Sequence, residues 1–323
     1  MIIVTGGAGF IGSAMVAKLN EKGVTDILVV DELGTASKWK NIAGKRFTDY
    51  IHKDNFIEML LNDRLPKIDA IVHMGANSST TEKDVDHLME NNYRYTRILA
   101  EWAVRKKARF IYASSGATYG DGSLGFSDDD ALSPKLLPMN AYGYSKQILD
   151  LWVLQHEIQH KVVGIKFFNV FGPNEYHKGD MKSLVCKAYS QIQEIGKIRL
   201  FKSYKPEYKH GEQVRDFVYV KDCTEVLWWF LNSPKVNGIF NLGTGKARTW
   251  NDLAKAVFSA LNLAPNIEYT EMPEEIRNSY QYHTEATTAK LREAGCPVEF
   301  RPLEDSVKDY VQNYLHPDVK YLD

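Results

Sequence analysis

Met1-Ile-Ile-Val-Thr-Gly-Gly-Ala-Gly-Phe-Ile-Gly12 is the stretch that decides the fold. Ile2-Ile-Val4 is a short apolar, β-branched run, the pattern of a strand buried on both faces. It leads into Thr5-Gly-Gly-Ala-Gly-Phe-Ile-Gly12, with glycines spaced Gly6-x-x-Gly9-x-x-Gly12, and this turn opens the helical segment Phe10 to Asn20. The first glycine permits a tight turn, the second lets backbone amides approach a pyrophosphate, and the third lets helix and strand pack closely. The positive end of the helix then faces the phosphates. A glycine triplet alone also marks ordinary strand–helix turns. Here Asp31 closes a second apolar run, Ile27-Leu-Val-Val30, 19 residues after Gly12, where a carboxylate meets an adenosine ribose. The pattern predicts a dinucleotide site.

Working outward, Ala70-Ile-Val-His73, Phe110-Ile-Tyr-Ala113 and Val162 to Phe168 read as further buried strands, alternating with helical segments such as Leu88 to Val104. Strand–helix alternation with buried runs predicts an α/β fold, a doubly wound parallel sheet of Rossmann type with a smaller C-terminal substrate domain. The rhythm changes after Gly172-Pro173, where the chain becomes polar, basic and aromatic as far as about Lys221. Residues 1–170 are therefore expected to form the dinucleotide-binding domain, with segments near 216–232 returning to it, and 171–323 the substrate-binding domain. Trp228-Trp229 reads as core.

The 323 residues correspond to about two domains. Forty Lys+Arg against 41 Asp+Glu remove any global electrostatic argument for nucleic acid or a membrane surface. Cys186, Cys223 and Cys296 are too scattered for a disulfide framework or a zinc site, and no histidine has metal-ligand spacing. The longest apolar runs, such as Val226 to Leu231, fall far short of the ~18 residues a membrane span needs. The expectation is a soluble cytoplasmic protein with neither nucleic acid nor membrane as partner. From Phe201 to Lys221 five basic residues stand against three acidic ones, interleaved with Tyr204 and Tyr208. A nucleic-acid patch would have that look, but a loop closing over a diphosphate explains the same charge with a smaller partner.

Two further stretches carry chemistry. Ser114-Ser115-Gly-Ala-Thr-Tyr-Gly120 follows a strand, at the carboxyl edge where doubly wound sheets place ligands. Tyr142-Gly-Tyr-Ser-Lys146 enters a helix and sets Tyr142 and Lys146 four residues apart on one face. An ammonium near a phenol favours phenolate, which would make Tyr142 an acid–base group near neutral pH. Ser115 would hold the substrate oxygen against that phenol. For the cofactor, Asp31 and Glu32 repel a ribose 2′-phosphate while Lys38 and Lys53 would neutralise one, so these residues leave NAD and NADP open.

In this order the motifs resemble the extended short-chain dehydrogenase/reductase superfamily, which binds NAD(P) and acts mainly on nucleotide sugars. The resemblance covers nearly the whole chain, with Arg215-Asp-Phe-Val-Tyr-Val220 and Asn241-Leu-Gly-Thr-Gly245 as further markers. Members that dehydrate the sugar typically carry an Asp-Glu pair where this chain has Gly116-Ala-Thr118, which argues against a dehydratase. Phe168-Asn-Val-Phe-Gly-Pro-Asn-Glu-Tyr-His-Lys-Gly-Asp-Met-Lys182, with Gly75 to Glu82 and Asn91 to Tyr95, is similar to the branch that inverts C6 of ADP-heptoses for bacterial lipopolysaccharide.

That resemblance implies an isomerase: C6 of ADP-D-glycero-D-manno-heptose is inverted through a 6-keto intermediate with tightly bound NADP, in a homo-oligomer. It implies Tyr142 and Lys178 as the two acid–base residues, supported by Lys146 and Ser115. It further implies Phe10, Ile11, Glu32, Lys38, Lys53, Met74, Gly75, Ala76, Asn92, Val170, Lys146 and Lys178 around the cofactor. Ser115, Asn169, Asp180, Lys187, Phe201, Lys202, Ser203, Tyr204, Arg215 and Tyr280 fall to the substrate. Asp180, Lys187 and Lys202-Ser-Tyr204 depart from the branch's usual serine, histidine and acidic glycine-containing segment, which bears on the identity of the sugar. The rival readings are a UDP-hexose 4-epimerase and a non-catalytic NADP-binding sensor; sensors commonly lack the Tyr142/Lys146 pair.

Overall fold

A computed structural model describes residues 1–277 and 280–323. Its strands are β1 (Ile2–Thr5), β2 (Ile27–Asp31), β3 (Asp49–His52), β4 (Ala70–His73), β5 (Arg109–Ser115), β6 (Val163–Phe167), β7 (Asn169–Phe171), β8 (Ile198–Phe201), β9 (Val214–Arg215), β10 (Phe217–Tyr219), β11 (Gly238–Leu242), β12 (Arg248–Thr249) and β13 (Ile267–Thr270). Seven of them form one parallel sheet in the order β11-β6-β5-β4-β1-β2-β3. The order reverses between β1 and β4, which opens a crevice at their carboxyl ends.

Alternating side chains of these strands feed two cores. Val4, Val29, Val72, Ile111 and Ile165 face one side, and Ile3, Leu28, Ile71, Phe110 and Tyr112 the other. Both faces are thus dry, which is why the strands read as continuous apolar runs. A third core joins the helices Leu184–Ile195, Trp250–Ala260 and Leu303–Tyr310 to Phe10 and Ala14 of the first helix, Phe10–Glu21.

The chain does not divide cleanly at residue 170. The helix Val220–Asn232 packs in the same core as the first helix, where Lys18 Nζ donates to Glu225 Oε1 at 2.7 Å, and β11 then closes the sheet edge. The return therefore extends to Leu242, past the expected segment. Trp228 and Trp229 are only partly buried, packed against that core from outside. The helix expected from Leu88 begins at Val85 and widens into a π turn at Met89–Arg94 before continuing as Tyr95–Lys106. Among the described residues no helix is long and apolar enough to cross a membrane.

Candidate active site

The crevice is a cavity of about 560 Å³ lined by the carboxyl ends of β1, β2, β4, β5 and β6 and by the loop holding His177, Lys178 and Met181. On its floor Gly6 sits at φ +63°, and a Cβ there would stand 2.5 Å from the Gly75 amide nitrogen. A Cβ on Gly12 would lie 2.1 Å from the Gly6 carbonyl oxygen. The two turns can approach only as bare backbone. No side chain caps the helix starting at Phe10, and its first turn holds no acidic residue. Unpartnered first-turn amides and the positive helix end therefore face the cavity, a donor set that fits a pyrophosphate.

At the far end of β2, Asp31 is 5% exposed and built into the backbone: Ala8 N donates to it at 2.8 Å and Glu32 N at 2.7 Å. The Lys38 ammonium also sits on this carboxylate. Lys53 Nζ lies 3.5 Å from Glu32 Oε2 and 3.3 Å from Asp54 Oδ1. Two cations and three carboxylates thus bound this end.

Tyr142 and Lys146 stand on the helix Ala141–Gln155, whose start is capped by Asn140 Oδ1 accepting from Gly143 N at 2.8 Å. Ser115 ends β5 and lines the cavity with both. Lys146 does not draw the resting phenol toward phenolate. Burial raises the Tyr142 phenol, with Ser115 pulling the other way, and Lys146 turns its Nζ to the Ala113 carbonyl at 2.8 Å. Burial in turn lowers Lys146 to about 8, opposed by Asp150. Desolvation is the leading cause in both shifts.

Lys178 enters from the opposite lip. Its loop is pinned by Glu175, a fully buried carboxylate that accepts from Gly172 N at 3.3 Å and from Ser183, and is pushed up by its burial. Asn174 Nδ2 donates to Ser13 Oγ at 2.9 Å, tying the loop to the first helix. Asn41 Nδ2 donates to the carbonyls of Ala8 and Asn174 and lies 3.1 Å from His177 Nδ1. Gly179 follows at φ +52°, breaking the turn immediately after the lysine. Lys178 Nζ lies 5.4 Å from the Phe10 ring centroid, and burial lowers its pKa despite Glu175. His177 is lowered to about 4, first by burial and then by Lys38 and Lys178.

The cavity gathers most of the residues expected around a cofactor. Gly6, Gly9, Phe10, Ile11, Gly12, Asp31, Glu32, Lys38, Lys53, Met74, Gly75, Ala76, Val170 and Lys178 all line the cavity. Asn92 does not. It is fully buried in the π turn, its Oδ1 accepting from Asn77 N at 2.8 Å and its Nδ2 donating to Asn77 O and Ser145 Oγ. It splices the lining loop at Asn77 to the Tyr142 helix, a positioning task.

Of the expected substrate residues Ser115 lines the cavity, and the others form groups beside it. Arg215 is stacked between Trp250 and Tyr280, 5.5 and 5.1 Å from their ring centroids, and donates to the Val214 and Gln281 carbonyls. Lys202 and Tyr204 both engage Glu271, while Ser203 and the exposed Phe201 sit at the end of β8. Lys187 Nζ donates to the Asp180 carbonyl, and Asn169 Oδ1 accepts from Thr284 at 3.4 Å. Sequence reading also passed over lining residues, His73 and His177 among them, and the buried carboxylate Asp150 behind the site.

Residues 2–243 match the family model described as NAD dependent epimerase/dehydratase. The chain belongs to the NAD-dependent epimerase/dehydratase family. Within it, the chain is 61% identical over 98% of its length, and 98% of the relative's, to an ADP-L-glycero-D-manno-heptose-6-epimerase of Nitratidesulfovibrio vulgaris. It is 51% identical to the same-named protein of Fusobacterium nucleatum over 100% of both chains. A solved structure from Helicobacter pylori, again an ADP-L-glycero-D-manno-heptose-6-epimerase, superposes with a TM-score of 0.82 at 28% identity, covering 97% of this chain and 95% of that one. A nicotinamide cofactor belongs with this family, and the glycine cradle and uncapped helix start have the shape and donors to take its pyrophosphate.

Proposed function

We propose that this chain inverts C6 of ADP-D-glycero-D-manno-heptose to the L-glycero epimer, with NADP as its tightly bound cofactor. The observation that carries the reading is the meeting of Tyr142 and Ser115, on one lip, with Lys178 on the other, around one cavity floored by the glycine cradle. Near-full-length identity to relatives of that name supports the sugar, and Lys38 and Lys53 beside Asp31 and Glu32 support the 2′-phosphate. The free cysteines Cys186, Cys223 and Cys296 fit a reducing, cytoplasmic setting.

Gly6, Gly9 and the first-turn amides from Phe10 onward would hold the pyrophosphate, with Lys146 and Val170 flanking the nicotinamide end. The nicotinamide, when bound, supplies reversible hydride acceptance, so the sugar leaves with no net change of oxidation state. The protein's part is proton transfer and alignment. One of Lys178 and Tyr142 takes the C6 hydroxyl proton as C6 becomes a ketone. That group turns in the cleft, and the other residue returns a proton to the oxygen from the opposite lip. Ser115 donates to the same oxygen and holds it within reach of the phenol. The test is proton NMR of the purified protein incubated with ADP-heptose epimers and UDP-hexoses. Interconversion of the ADP-heptoses alone is expected; turnover of a UDP-hexose with inert ADP-heptoses would refute the reading.

A further inference from the structure

Behind the cavity the helix Ala141–Gln155 carries a third functional-looking side chain in the same stripe. Tyr142, Lys146 and Asp150 are spaced i, i+4 and i+8 and share one face, running from cleft to interior. Asp150 is fully buried and receives three donors: Tyr112 Oη at 3.0 Å on Oδ1, Ser114 Oγ at 2.7 Å on Oδ2, and Lys166 Nζ at 2.7 Å on Oδ2. Tyr112 and Ser114 belong to β5, Lys166 to β6. Lys166 also donates to Thr118 Oγ1 at 2.7 Å, and Thr118 donates to the Ser115 carbonyl at 2.9 Å. A chain of hydrogen bonds therefore runs from Asp150 to the backbone of Ser115.

We propose that Asp150, hydrogen-bonded to Lys166, is a positioning residue that anchors the Ser114–Ser115 strand end and keeps the neighbouring Lys146 positively charged. A carboxylate accepts from all three donors at once, whereas an amide in its place would need a hydroxyl such as that of Tyr112 to turn and accept. Nor is the pair explained as a stability device. Taking Asp150 and Lys166 out of water carries a desolvation cost that apolar residues of similar volume avoid. What an apolar pair lacks is negative charge one helical turn from Lys146. The groups facing Lys146 otherwise offer none: the Ala113 carbonyl, the neutral Tyr142 phenol, and His73 on β4, which burial and Lys146 itself hold down at about 3. Asp150 is the group whose field opposes the burial of Lys146. A charged Lys146 matters because it is the cation on the phenol's own stripe when Tyr142 gives up its proton. This inference rests on the proposed epimerase chemistry only for that last step.

The experiment reads Lys146 directly. Protein labelled with carbon-13 at the lysine Cε is titrated by NMR without substrate, the Lys146 resonance being assigned by its loss in Lys146→Arg. The parent midpoint is expected at about 8. In Asp150→Asn it should fall by about one unit or more, the usual effect of removing an opposite charge at close range. Where Asp150→Asn fails to fold, Asp150→Leu/Lys166→Met supplies a neutral, apolar replacement in which a smaller downward shift is expected, because the Lys166 charge leaves with that of Asp150. The alkaline limb of the epimerisation rate should move with the midpoint. An unmoved Lys146 midpoint in either folded variant, or turnover reduced equally at every pH, overturns the proposal. A shifted midpoint in a protein that turns over no ADP-heptose supports it while removing the substrate reading.

Discussion

The 2′-phosphate of the proposed NADP is the point where the charges of the cleft make the most quantitative prediction. Lys38 and Lys53 are 24% and 29% exposed at their side chains, held on Asp31 and on Glu32 and Asp54 respectively. A unit charge about 4 Å from an ammonium gains about 1 kcal/mol in water and about 4 kcal/mol at a protein surface. Partial exposure and the need to share each lysine with a carboxylate favour the lower end, about 1 kcal/mol per lysine. Together they give about 2 kcal/mol, a preference for NADP over NAD of about 30-fold. The assay is fluorescence titration of cofactor-free protein with NADPH and NADH at ~0.05 M and ~0.5 M salt, since screening shortens the reach of such charges severalfold. Raising salt should shrink the ratio, and Lys38→Ala/Lys53→Ala should abolish it, leaving Asp31 to favour the free ribose. Equal affinities in the parent protein would refute the reasoning and make both lysines mere partners of their carboxylates.

Three further outcomes are expected. Tyr142→Phe keeps the ring and loses the proton, so cofactor titration should be unchanged while epimerisation falls by about 10²–10⁴; near-parental turnover would show the phenol is not the acid–base group. Lys178→Met should abolish inversion of both ADP-heptose epimers with cofactor retained, yet leave a half-reaction with an analogue bearing an aldehyde at C6, served by Tyr142; normal inversion would show that one residue suffices. His73 donates from Nε2 to Thr96 Oγ1, whose own hydrogen goes to the Asn92 carbonyl, so its Nδ1 accepts from Thr5 and the ring is locked neutral. With its pKa held at about 3, the unfolded chain takes up a proton below about 6.5 that the folded chain refuses. Folding stability should therefore drop by up to about 1.4 kcal/mol per pH unit as pH falls through that window. His73→Gln should flatten this slope in urea unfolding at successive pH values, and an unchanged slope would count against the assignment.

What could be read from the sequence followed from local physics. The glycine spacing and the runs at Ile2, Ile27, Ala70, Phe110 and Val162 are dictated by strands dry on both faces, and they locate the cofactor crevice without tertiary information. The partly exposed edge strand β3 and β11, which pairs with β6 from about 75 residues downstream, lack that signature, because one is only half-buried and the other is placed by a non-local contact. Asp150 and Lys166 had a signal: a carboxylate on the buried stripe of a helix and a lysine inside the run Val162 to Phe168. Only the fold reveals that they hydrogen-bond to each other. Asn92 sits beside the crevice in sequence terms, but a π turn directs its amide inward. Arg215, Tyr280 and Phe201 to Tyr204 are gathered by aromatic stacking and by Glu271, interactions that spacing along the chain does not encode.

The two lips of the cleft owe their chemistry to one cause. Desolvation raises the Tyr142 phenol and lowers the Lys178 amine, so each residue is pushed toward its uncharged form. An uncharged phenol is a proton donor and an uncharged amine a proton acceptor. The two shifts run in the directions that the proposed acid on one lip and base on the other would need for an inversion through a ketone. In the proposed mechanism the amine has gained, after one turnover, the proton that the phenol has lost, and the resulting charges suit the reverse inversion. That exchange works only if the lips keep their separation, and the loop contacts serve this end: Asn174 bonds Ser13 of the first helix, Asn41 bonds both Ala8 and Asn174, and Glu175 anchors the turn on Ser183. Asn41 lies in the same short turn as Lys38. The turn of the lysine proposed to select the 2′-phosphate and the loop of the lysine proposed to move the proton are thus joined through a single asparagine.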